Sequence, residues 1–460
     1  MTNPKHLHFI GVCGTAMGAV AAALKERGFT VTGSDERVYP PMSTFLESRG
    51  VKLKEGYRPE NIPADADLIV VGNAISRGNP EVEAVLNRRL SYLSLPETLK
   101  LFFLRGKHNL VVTGTHGKTT TTSLLTWVLR DAGLDPAYLI GGIPKNLGQG
   151  CSLHDSKFTV IEGDEYDTAF FDKRSKFLHY LPELVIVNNV EFDHADIFPD
   201  LDAIKLSFKR LLNVVPSEGM VLINGDDPNC VDVARDCRAQ LVEVGFSPNA
   251  ARHIRDVQYS SDGSEFTLID HKFHTPLVGE YNVRNCAMAI SAAHFYGVSL
   301  DKIATAISSF QGIKRRQEVR GSVRGITILD DFGHHPTAIR ETLRGLRHQY
   351  AGRRLWALFE PRSNTTRRAV FQHDLPKALA EADGVILSQV ARMDQLKPEE
   401  RLDPERVIDD IAATGRPAFY EPGVDEIIAR LKPLVKEGDV VVILSNGGFG
   451  GIHERLLKEL

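Results

Sequence analysis

The stretch Leu110-Val-Val-Thr-Gly-Thr-His-Gly-Lys-Thr-Thr120 decides the fold, because it joins an apolar strand to a glycine-rich loop and a helix. The run Leu110 to Val112 predicts the strand, and the segment from Thr120 to Ala132 predicts the helix. A common phosphate-binding loop has glycine where this chain has Val112, so the loop is a shorter variant. In such loops, backbone N–H groups surround a β-phosphate, a lysine reaches the β- and γ-oxygens, and a hydroxyl binds Mg²⁺. The sequence therefore predicts an ATP site at Gly114, Thr115, His116, Gly117, Lys118, Thr119 and Thr120, with Thr119 also binding the metal.

Strand, turn and helix patterns repeat on both sides of this loop. One series begins at residues 6–12, the second at Leu110, and the third at residues 326–329. Short apolar strands that alternate with amphipathic helices predict an α/β fold with mostly parallel sheets. The polar stretch 105–109 and the basic run 314–316 are the expected joints. We therefore predict three domains in series, a Rossmann-like domain at residues 1–106, a central P-loop ATPase domain at 107–313, and a Rossmann-like domain at 314–460.

The composition excludes several classes of protein. With a formal net charge of −4 over 460 residues, the chain has no basic excess to bind a nucleic acid or a membrane surface. No run approaches the roughly 18 apolar residues of a membrane helix, and the first residues do not resemble a secretory signal. The five cysteines are scattered and form no CxxC pair. We therefore expect a cytoplasmic protein with reduced thiols.

A second glycine-rich loop, Gly11-Val-Cys-Gly14-Thr-Ala-Met-Gly18, lies between the first predicted strand and helix. Glycines at this place allow the backbone to approach a diphosphate, and the helix N-terminus adds partial positive charge. The spacing differs from the dinucleotide pattern GxGxxG, although Asp35 follows the second strand, where a ribose-binding acid is expected. A nicotinamide-dependent dehydrogenase and a turn needed only for packing therefore stay open as alternatives.

Carboxylates follow two later strands of the central domain. The segment 160–167 ends in Glu162-Gly-Asp-Glu-Tyr-Asp, and the next strand leads to Glu191-Phe-Asp193-His194. Ligands and catalytic groups gather at the carboxyl ends of parallel strands, and Mg²⁺ beside a triphosphate prefers oxygen ligands. We predict that Glu162 binds Mg²⁺ and that a neutral His194 serves a second ion. The alternative for each acid is a solvated loop charge.

Taken together and in order, the motifs resemble those of the Mur ligase family over essentially the whole chain. The matching segments are Gly11 to Gly18, Gly114 to Thr120, Glu162 to Glu165, Asp193-His194, Gly279 to Asn285, Gly312 to Arg316 and Asp330 to Pro336. The resemblance implies an ATP-dependent ligase in which the first domain binds a UDP-linked muramic acid. It also implies that the C-terminal domain binds an acceptor amine.

The resemblance implies a role for each segment. Asn282 or Asn285 would contact the nucleotide from the central domain, whereas Arg316 and Asp331 would reach phosphate and ribose from the C-terminal domain. His334 resembles the family residue near the acyl phosphate and the incoming amine. The implied contacts to the UDP-sugar are Gly11, Gly14, Thr15, Gly18, Asp35 and Ser76. The implied catalytic residues are Lys118, His194, Arg316 and His334. Without the family, helix capping by the two asparagines and an exposed linker at residues 315–316 stay open.

The chain departs from many family members at one position. Those members carry a carbamylated lysine about four helical turns after the Asp-His pair. The same distance from His194 leads to Phe208, and Lys205 lies about one turn earlier. We therefore do not predict carbamylation.

The acceptor segment distinguishes branches of the family. The branch that adds L-alanine to UDP-N-acetylmuramate typically has Q-P-H-R-Y-T-R where this chain has Glu360-Pro-Arg-Ser-Asn-Thr-Thr366. Ser363 would leave room for a longer acceptor, and Arg362 could pair with a peptide carboxylate. The segment resembles the branch that attaches the murein tripeptide L-alanyl-γ-D-glutamyl-meso-diaminopimelate. The alternatives are the L-alanine ligase, the dehydrogenase, and a nucleotide-binding regulatory protein without turnover. Either a monomer or a homodimer fits the sequence.

Overall fold

The computed structural model describes residues 5–460 and contains three large sheets in which most neighbouring strands are parallel. The predicted α/β class is therefore confirmed. Each large sheet lies within one of the three predicted residue ranges, whereas the domain boundaries themselves stay a prediction. Within the described residues, no helix is both long enough and apolar enough to cross a membrane.

The N-terminal sheet has five parallel strands in the order β3-β2-β1-β4-β5. The strands are β1 (His6–Ile10), β2 (Thr30–Asp35), β3 (Lys52–Glu55), β4 (Leu68–Val71) and β5 (Tyr92–Ser94). The helices are α1 (Thr15–Glu26), α2 (Met42–Ser48), α3 (Pro80–Asn87) and α4 (Leu95–Leu99). β1 and β4 are buried along their whole length, as expected for central strands of a sheet covered on both faces. The edge strand β3, Lys-Leu-Lys-Glu, is mostly exposed. It was not predicted, because its charged residues do not form the apolar pattern of a buried strand.

The central sheet has eight strands in the order β15-β14-β13-β12-β6-β9-β7-β8, and only the β7–β8 pair is antiparallel. Its strands are β6 (His108–Thr113), β7 (Ala137–Leu139), β8 (Cys151–Ser152), β9 (Phe158–Glu162), β12 (Leu184–Val187), β13 (Met220–Asn224), β14 (Gln240–Gly245) and β15 (Arg252–His253). The helices are α5 (Lys118–Asp131), α6 (Leu201–Leu212), α7 (Pro228–Ala234), α8 (Glu280–Phe295) and α9 (Leu300–Ser308). A hairpin and a three-stranded antiparallel sheet are added by β10 (Asp167–Ala169), β11 (Asp172–Ser175), β16 (Arg255–Ser260), β17 (Gly263–Leu268) and β18 (His271–Thr275).

The C-terminal sheet has six strands in the order β19-β20-β24-β21-β22-β23, and only β19 is antiparallel to its neighbour. The strands are β19 (Glu318–Val323), β20 (Ile326–Asp331), β21 (Leu355–Phe359), β22 (Gly384–Ser388), β23 (Ala418–Glu421) and β24 (Val440–Leu444). The helices are α10 (Pro336–Gln349), α11 (Asp374–Leu379), α12 (Pro404–Ala412), α13 (Val424–Leu431) and α14 (Ile452–Glu459).

The strand β6 shows how the fold positions the site. Its residues Leu110, Val111 and Val112 are completely buried between β9 and β12, and each such side chain contributes about 1.5–3 kcal/mol by leaving water. The strand ends at Thr113, so the phosphate loop emerges at the carboxyl edge of the sheet. Two local predictions were wrong by a few residues. The helix begins at Lys118 rather than Thr120, and β6 already begins at His108, inside the expected joint.

Candidate active site

A single cavity of about 1730 Å³ is lined by residues of all three domains. Its walls are formed by the phosphate loop, the ends of β9 and β12, the first turn of α8 and the loops after β20 and β21. Because the carboxyl edges of the sheets supply these loops, their polar side chains converge on one space.

The phosphate loop requires its two glycines. Gly114 and Gly117 have positive φ angles of 126° and 77°, which other residues adopt at a cost. A Cβ atom at Gly117 would lie 2.6 Å from Asn285 Oδ1, and one at Gly114 would lie 2.9 Å from the Asn189 backbone nitrogen. The His116 N–H donates to Asn189 Oδ1 at 2.7 Å, which holds the loop against the segment that follows β12. The loop therefore has the close-packed backbone that a phosphate cradle needs.

Lys118 begins α5 and points back over the loop. Its Nζ donates to the Gly114 carbonyl oxygen at 2.6 Å and to Glu165 Oε2 at 2.9 Å. Burial would lower the pKa of Lys118, but the carboxylates of Glu165 and Asp164 raise it, so the side chain is charged. Glu165 is 2% exposed, and its pKa is lowered by Lys118 and His194 despite burial. A buried cation is thus held at the place where the loop would receive phosphate oxygens.

Thr119 and Glu162 form a pair of oxygen ligands. The Thr119 hydroxyl donates to Glu162 Oε1 at 3.0 Å, and the Gly141 N–H donates to Glu162 Oε2 at 2.7 Å. Burial raises the pKa of Glu162. A hydroxyl and a desolvated carboxylate beside a phosphate loop are ligands that Mg²⁺ prefers, so these residues fit that cation.

His194 is held beside Glu165 in the loop that follows β12. Its backbone has a positive φ of 56°, and its Nε2 donates to Glu165 Oε1 at 2.9 Å. Burial would lower the pKa of His194, but the hydrogen bond and charge of Glu165 raise it. The raised pKa favours protonation of the ring beside Glu165, and the role of a neutral His194 as a ligand of a second ion stays a prediction. Ligand atoms of Asp164, Glu165 and His194 lie within 4.8 Å of one another.

The two asparagines of α8, Asn282 and Asn285, make different hydrogen bonds. Asn282 Nδ2 donates to the Val278 carbonyl oxygen at 2.9 Å, so this side chain stabilises the start of the helix. Asn285 Oδ1 accepts from the Thr121 hydroxyl at 3.1 Å. Its Nδ2 is buried without a hydrogen-bond partner among the described residues. Both residues line the cavity, and Asn285 has a donor available for a ligand.

The C-terminal domain contributes Arg316, Asp331 and His334. The Arg316 guanidinium lies 4.9 Å from the centre of the Phe332 ring. Asp331 accepts from the N–H groups of Gln317 and Gly333 at 2.8 and 2.7 Å, and burial raises its pKa. Burial also lowers the pKa of His334 to about 4. Its Nδ1 donates to the Phe332 carbonyl oxygen at 3.2 Å, which leaves Nε2 as an acceptor.

Side chains of the loop 191–196, in the central domain, form hydrogen bonds with the C-terminal domain. The Thr337 hydroxyl donates to Glu191 Oε2 at 2.7 Å, and the Thr365 hydroxyl donates to Asp193 Oδ1 at 2.6 Å. Asn364 Nδ2 donates to Asp196 Oδ2 at 2.8 Å. Sequence reasoning missed these partners, and the only signal was the position of Asn364 and Thr365 within the quoted acceptor segment.

His116, Glu191 and His335 form a second group with ligand atoms within 4.8 Å of one another. His335 Nε2 donates to the Phe192 carbonyl oxygen at 3.2 Å, and its Nδ1 accepts from the Thr337 N–H at 3.2 Å. Both ring nitrogens of His335 are thus engaged, and its bond to Phe192 links the C-terminal domain to the central domain.

The first glycine loop faces the cavity through Gly14 and Thr15. Gly11 and Gly18 do not line the cavity; a Cβ atom at Gly18 would lie 2.6 Å from Met42 Sδ, and one at Gly11 would lie 3.3 Å from Ile75. Asp35 Oδ2 accepts from the Cys13 N–H at 2.8 Å and so holds the loop in place. Ser76 is exposed and does not line the cavity.

Arg362 and Ser363 both line the cavity, but in different ways. Arg362 Nη1 lies 3.6 Å from Glu360 Oε1, and its side chain is 45% exposed. The Ser363 Oγ accepts from the Thr366 N–H at 3.0 Å and shares a 2.6 Å hydrogen bond with the Thr366 hydroxyl. Ser363 therefore shapes the turn of the acceptor loop, and its contribution to acceptor size stays a prediction.

Comparison with known proteins agrees with this geometry. Three family models match in chain order, the Mur ligase family catalytic domain at residues 6–106, the Mur ligase middle domain at 112–293, and the Mur ligase glutamate ligase domain at 315–447. The chain is 43% identical to the UDP-N-acetylmuramate–L-alanyl-γ-D-glutamyl-meso-2,6-diaminoheptandioate ligase of Haemophilus influenzae, over 99% of both chains. It is 34% identical to the UDP-N-acetylmuramate–L-alanine ligase of Solibacter usitatus, over 100% of this chain and 96% of that protein.

A solved structure of a ligase is also similar to this chain over nearly its whole length. The murein peptide ligase of Psychrobacter arcticus is 37% identical, superposes with a TM-score of 0.71, and covers 99% of this chain and 98% of its own. The predicted resemblance is thereby confirmed, and it favours a ligase over a dehydrogenase. The chain belongs to the Mur ligase family of ATP-dependent ligases.

Proposed function

We propose that this chain joins the tripeptide L-alanyl-γ-D-glutamyl-meso-diaminopimelate to UDP-N-acetylmuramate, with ATP as co-substrate and Mg²⁺ as cofactor. The observation that carries the proposal is the 43% identity, over 99% of the chain, to a ligase whose name states that reaction. The relative named as an alanine ligase is 34% identical over a similar length. The difference favours the tripeptide over free L-alanine as the acceptor.

The proposed reaction has two steps. A carboxylate oxygen of the muramyl group attacks the γ-phosphorus of ATP, the bond to the β-phosphate oxygen breaks, and ADP leaves. The amine nitrogen of the tripeptide's alanine then attacks the acyl carbon, and phosphate leaves with the bonding electrons and takes up the proton that the nitrogen loses. Little covalent chemistry falls to the protein, so its contribution is positioning and electrostatic stabilisation.

Cations from two domains face the phosphates in this proposal. Lys118 comes from the central domain and Arg316 from the C-terminal domain, and both line the same cavity. Thr119 and Glu162 would hold Mg²⁺, which supplies positive charge next to the β- and γ-phosphate oxygens. His194 would bind a second ion only after releasing the proton that it shares with Glu165.

His334 would act on the amine by accepting a hydrogen bond. Since its pKa is lowered to about 4, the ring is neutral at physiological pH and is a weak base. Its Nε2 lies 4.0 Å from Asp193 Oδ2 and is available as an acceptor. We expect this nitrogen to orient the attacking amine rather than to deprotonate a free ammonium group.

Contacts between domains support the exclusion of water. The hydrogen bonds from Thr337 to Glu191 and from Thr365 to Asp193 close the C-terminal domain onto the loop that carries His194. A closed cavity would protect an acyl phosphate from hydrolysis.

The test is a ligation assay with two acceptors. Purified protein receives ATP, Mg²⁺ and UDP-N-acetylmuramate with either the tripeptide or L-alanine, and phosphate release and product mass are measured. We expect faster turnover with the tripeptide. Faster turnover with L-alanine would instead establish the alanine ligase, and no phosphate release with either acceptor would support a regulatory protein without turnover. The cytoplasmic location and the choice between monomer and homodimer stay predictions.

A further inference from the structure

Three possible metal ligands meet where the central and C-terminal domains face each other beside the phosphate loop. His116 Nε2 and His335 Nδ1 each lie 3.6 Å from Glu191 Oε2, and the three atoms lie within 4.8 Å of one another. His116 and Glu191 belong to the central domain, whereas His335 directly precedes α10 of the C-terminal domain. The side chains of His335 and His116 are 6% and 15% exposed. The group is therefore largely shielded from water, and the proposed reaction steps do not use it.

The hydrogen bonds of the two rings leave electron pairs directed at this carboxylate. His335 Nε2 donates to the Phe192 carbonyl oxygen at 3.2 Å, so Nδ1 of the neutral ring is an acceptor. The only donor to that Nδ1 is the Thr337 N–H, at 3.2 Å. His116 Nε2 is buried and has no hydrogen-bond partner within residues 5–460. Acceptors that face a carboxylate are unfavourable unless a proton or a cation lies between them, so the group has the electron pairs that a cation would use.

The separations and the surrounding hydrogen bonds match a tetrahedral zinc site. Two ligand atoms bound to zinc at about 2.0–2.1 Å lie roughly 3.4 Å apart, close to the two separations of 3.6 Å. A zinc-bound histidine usually donates its other N–H to an oxygen, as His335 does, and a zinc-bound carboxylate is usually hydrogen-bonded in turn. Here the Thr337 hydroxyl donates to Glu191 Oε2 at 2.7 Å. Imidazole nitrogens favour Zn²⁺ over Mg²⁺, which prefers oxygen ligands.

We propose that His116, Glu191 and His335 bind one Zn²⁺ ion, with water as the fourth ligand, and that the ion holds the two domains together. The ion replaces the long bond between the Thr337 N–H and His335 Nδ1. Release of products requires the domains to part, so bound Zn²⁺ slows turnover. The site goes beyond the proposed function, because the ion binds without any substrate of the ligase.

The first test is a titration of the metal-free full chain with Zn²⁺ alone, in competition with a chromogenic chelator and with Mg²⁺ in excess. His116→Gln and His335→Asn each remove one ligand. Asparagine is a favourable residue before a helix, so His335→Asn keeps an acceptor for the Thr337 N–H.

Two controls distinguish this site from other histidines of the central domain. His108 Nδ1 also lies beside a carboxylate oxygen, Glu183 Oε2, at 2.6 Å, but belongs to no group of three ligands among the described residues. His108→Gln is therefore the matched control. His194→Gln disrupts the group of Asp164, Glu165 and His194 and tests whether Zn²⁺ binds there instead.

We expect the wild-type protein to bind one Zn²⁺ tightly, and His116→Gln and His335→Asn to weaken that binding roughly a hundredfold. His108→Gln and His194→Gln should keep the tight site. No Zn²⁺ binding by the wild-type protein, equal affinity in His335→Asn and His116→Gln, or a loss confined to His194→Gln would overturn the inference. Because no substrate is present, none of these results depends on the ligase reaction.

The second test measures phosphate release with and without Zn²⁺, again with Mg²⁺ in excess, and compares each protein with itself. We expect Zn²⁺ to lower kcat in the wild-type protein and in His108→Gln, and to have at most a tenth of that effect in His335→Asn. Equal inhibition of the wild-type protein and His335→Asn would refute the holding of the domains by this ion.

Discussion

The ammonium nitrogen of Lys118 lies 2.9 Å from Glu165 Oε2, and the two side chains are 14% and 2% exposed. The same carboxylate accepts from His194 Nε2 at 2.9 Å. One buried carboxylate therefore holds both the Lys118 ammonium and the His194 ring. Lys118 therefore has two roles, a structural ion pair with Glu165 and a proposed contact with the phosphates of ATP, and a separate measurement can test each role.

Replacing Lys118 with alanine should abolish ligation and also destabilise the fold. We expect a loss of at least about a hundredfold in kcat, because a preorganised cation for the phosphates is removed. The free energy of unfolding should fall by about 3 kcal/mol, since Glu165 would stay buried without the ammonium group that pairs with it. Phosphate release and urea denaturation measure the two effects, with the exposed Lys302→Ala in the same domain as the control. Full activity in Lys118→Ala would refute the ATP assignment.

Gly117→Ala should prevent nucleotide binding for a steric reason. The added methyl group would lie 2.6 Å from Asn285 Oδ1, in a backbone that already has φ of 77°. Gly133 is a matched control, because its φ is 88° but no atom lies within 4 Å of an added Cβ. Both variants should lose about 1 kcal/mol of stability through the backbone. Only Gly117→Ala should lose ATP binding in calorimetry, and equal binding by the two variants would contradict the role of this close contact.

The fold was predictable because its signals are local. The completely buried residues Leu110 to Val112 form an unbroken apolar run, and the loop after them has the glycines and the lysine that a phosphate site needs. The same reasoning found Glu162, because a carboxylate directly after a buried strand must lie at the edge where the loop emerges. The charged edge strand β3 was not predicted, since an exposed strand has no apolar pattern.

Partners distant in the chain were not predictable. Thr365 lies 172 residues from Asp193, and Thr337 lies 146 residues from Glu191, so no local pattern connects them. The pairing of His194 with Glu165, a hydrogen-bond partner 29 residues away, was not predictable either. Spacing can place a histidine near a metal, but its protonation depends on what packs against it.

Thr337→Val should weaken domain closure while leaving the domains folded. The substitution keeps the side-chain shape and removes the hydroxyl that donates to Glu191 Oε2 at 2.7 Å. A hydrogen bond to a charged group is worth about 1.5–3 kcal/mol, so we expect kcat to fall roughly tenfold and the open form to become more populated. Small-angle scattering and steady-state kinetics report these changes. The control is Thr305→Val, whose hydroxyl bonds only within its own helix, to the Asp301 carbonyl oxygen. Identical kinetics for the two variants would show that the contact does not control closure.

Glu81 should make the stability of the N-terminal domain depend on pH. The side chain is completely buried and accepts from Ser34 Oγ, from Asn61 Nδ2 at 2.7 Å and from the Arg58 N–H at 3.1 Å. Burial would raise the pKa of Glu81, but the His8 ring, whose Nε2 lies 3.7 Å from Oε2, and the hydrogen bonds from Ser34, Asn61 and Arg58 lower it below its ordinary value. A folded-state pKa below the unfolded value means that the charged form stabilises the protein above that unfolded value. The stabilisation is lost as the pH falls through the folded pKa.

Glu81→Gln carries no charge at any pH, so it isolates this contribution. We expect the variant to be about 1–3 kcal/mol less stable than the wild-type protein at pH 7, because a charge-assisted network is broken. The difference should narrow as the pH is lowered from 7 towards 3, because the unfolded chain takes up a proton at this carboxyl group before the folded wild-type protein does. UDP-sugar binding should weaken too, since the Ser34 carbonyl oxygen accepts from the Gly11 N–H at 2.9 Å and so positions the first glycine loop. Urea denaturation at several pH values provides the measurement, and a difference in stability that stays constant between pH 7 and pH 3 would contradict the assigned role of the carboxylate.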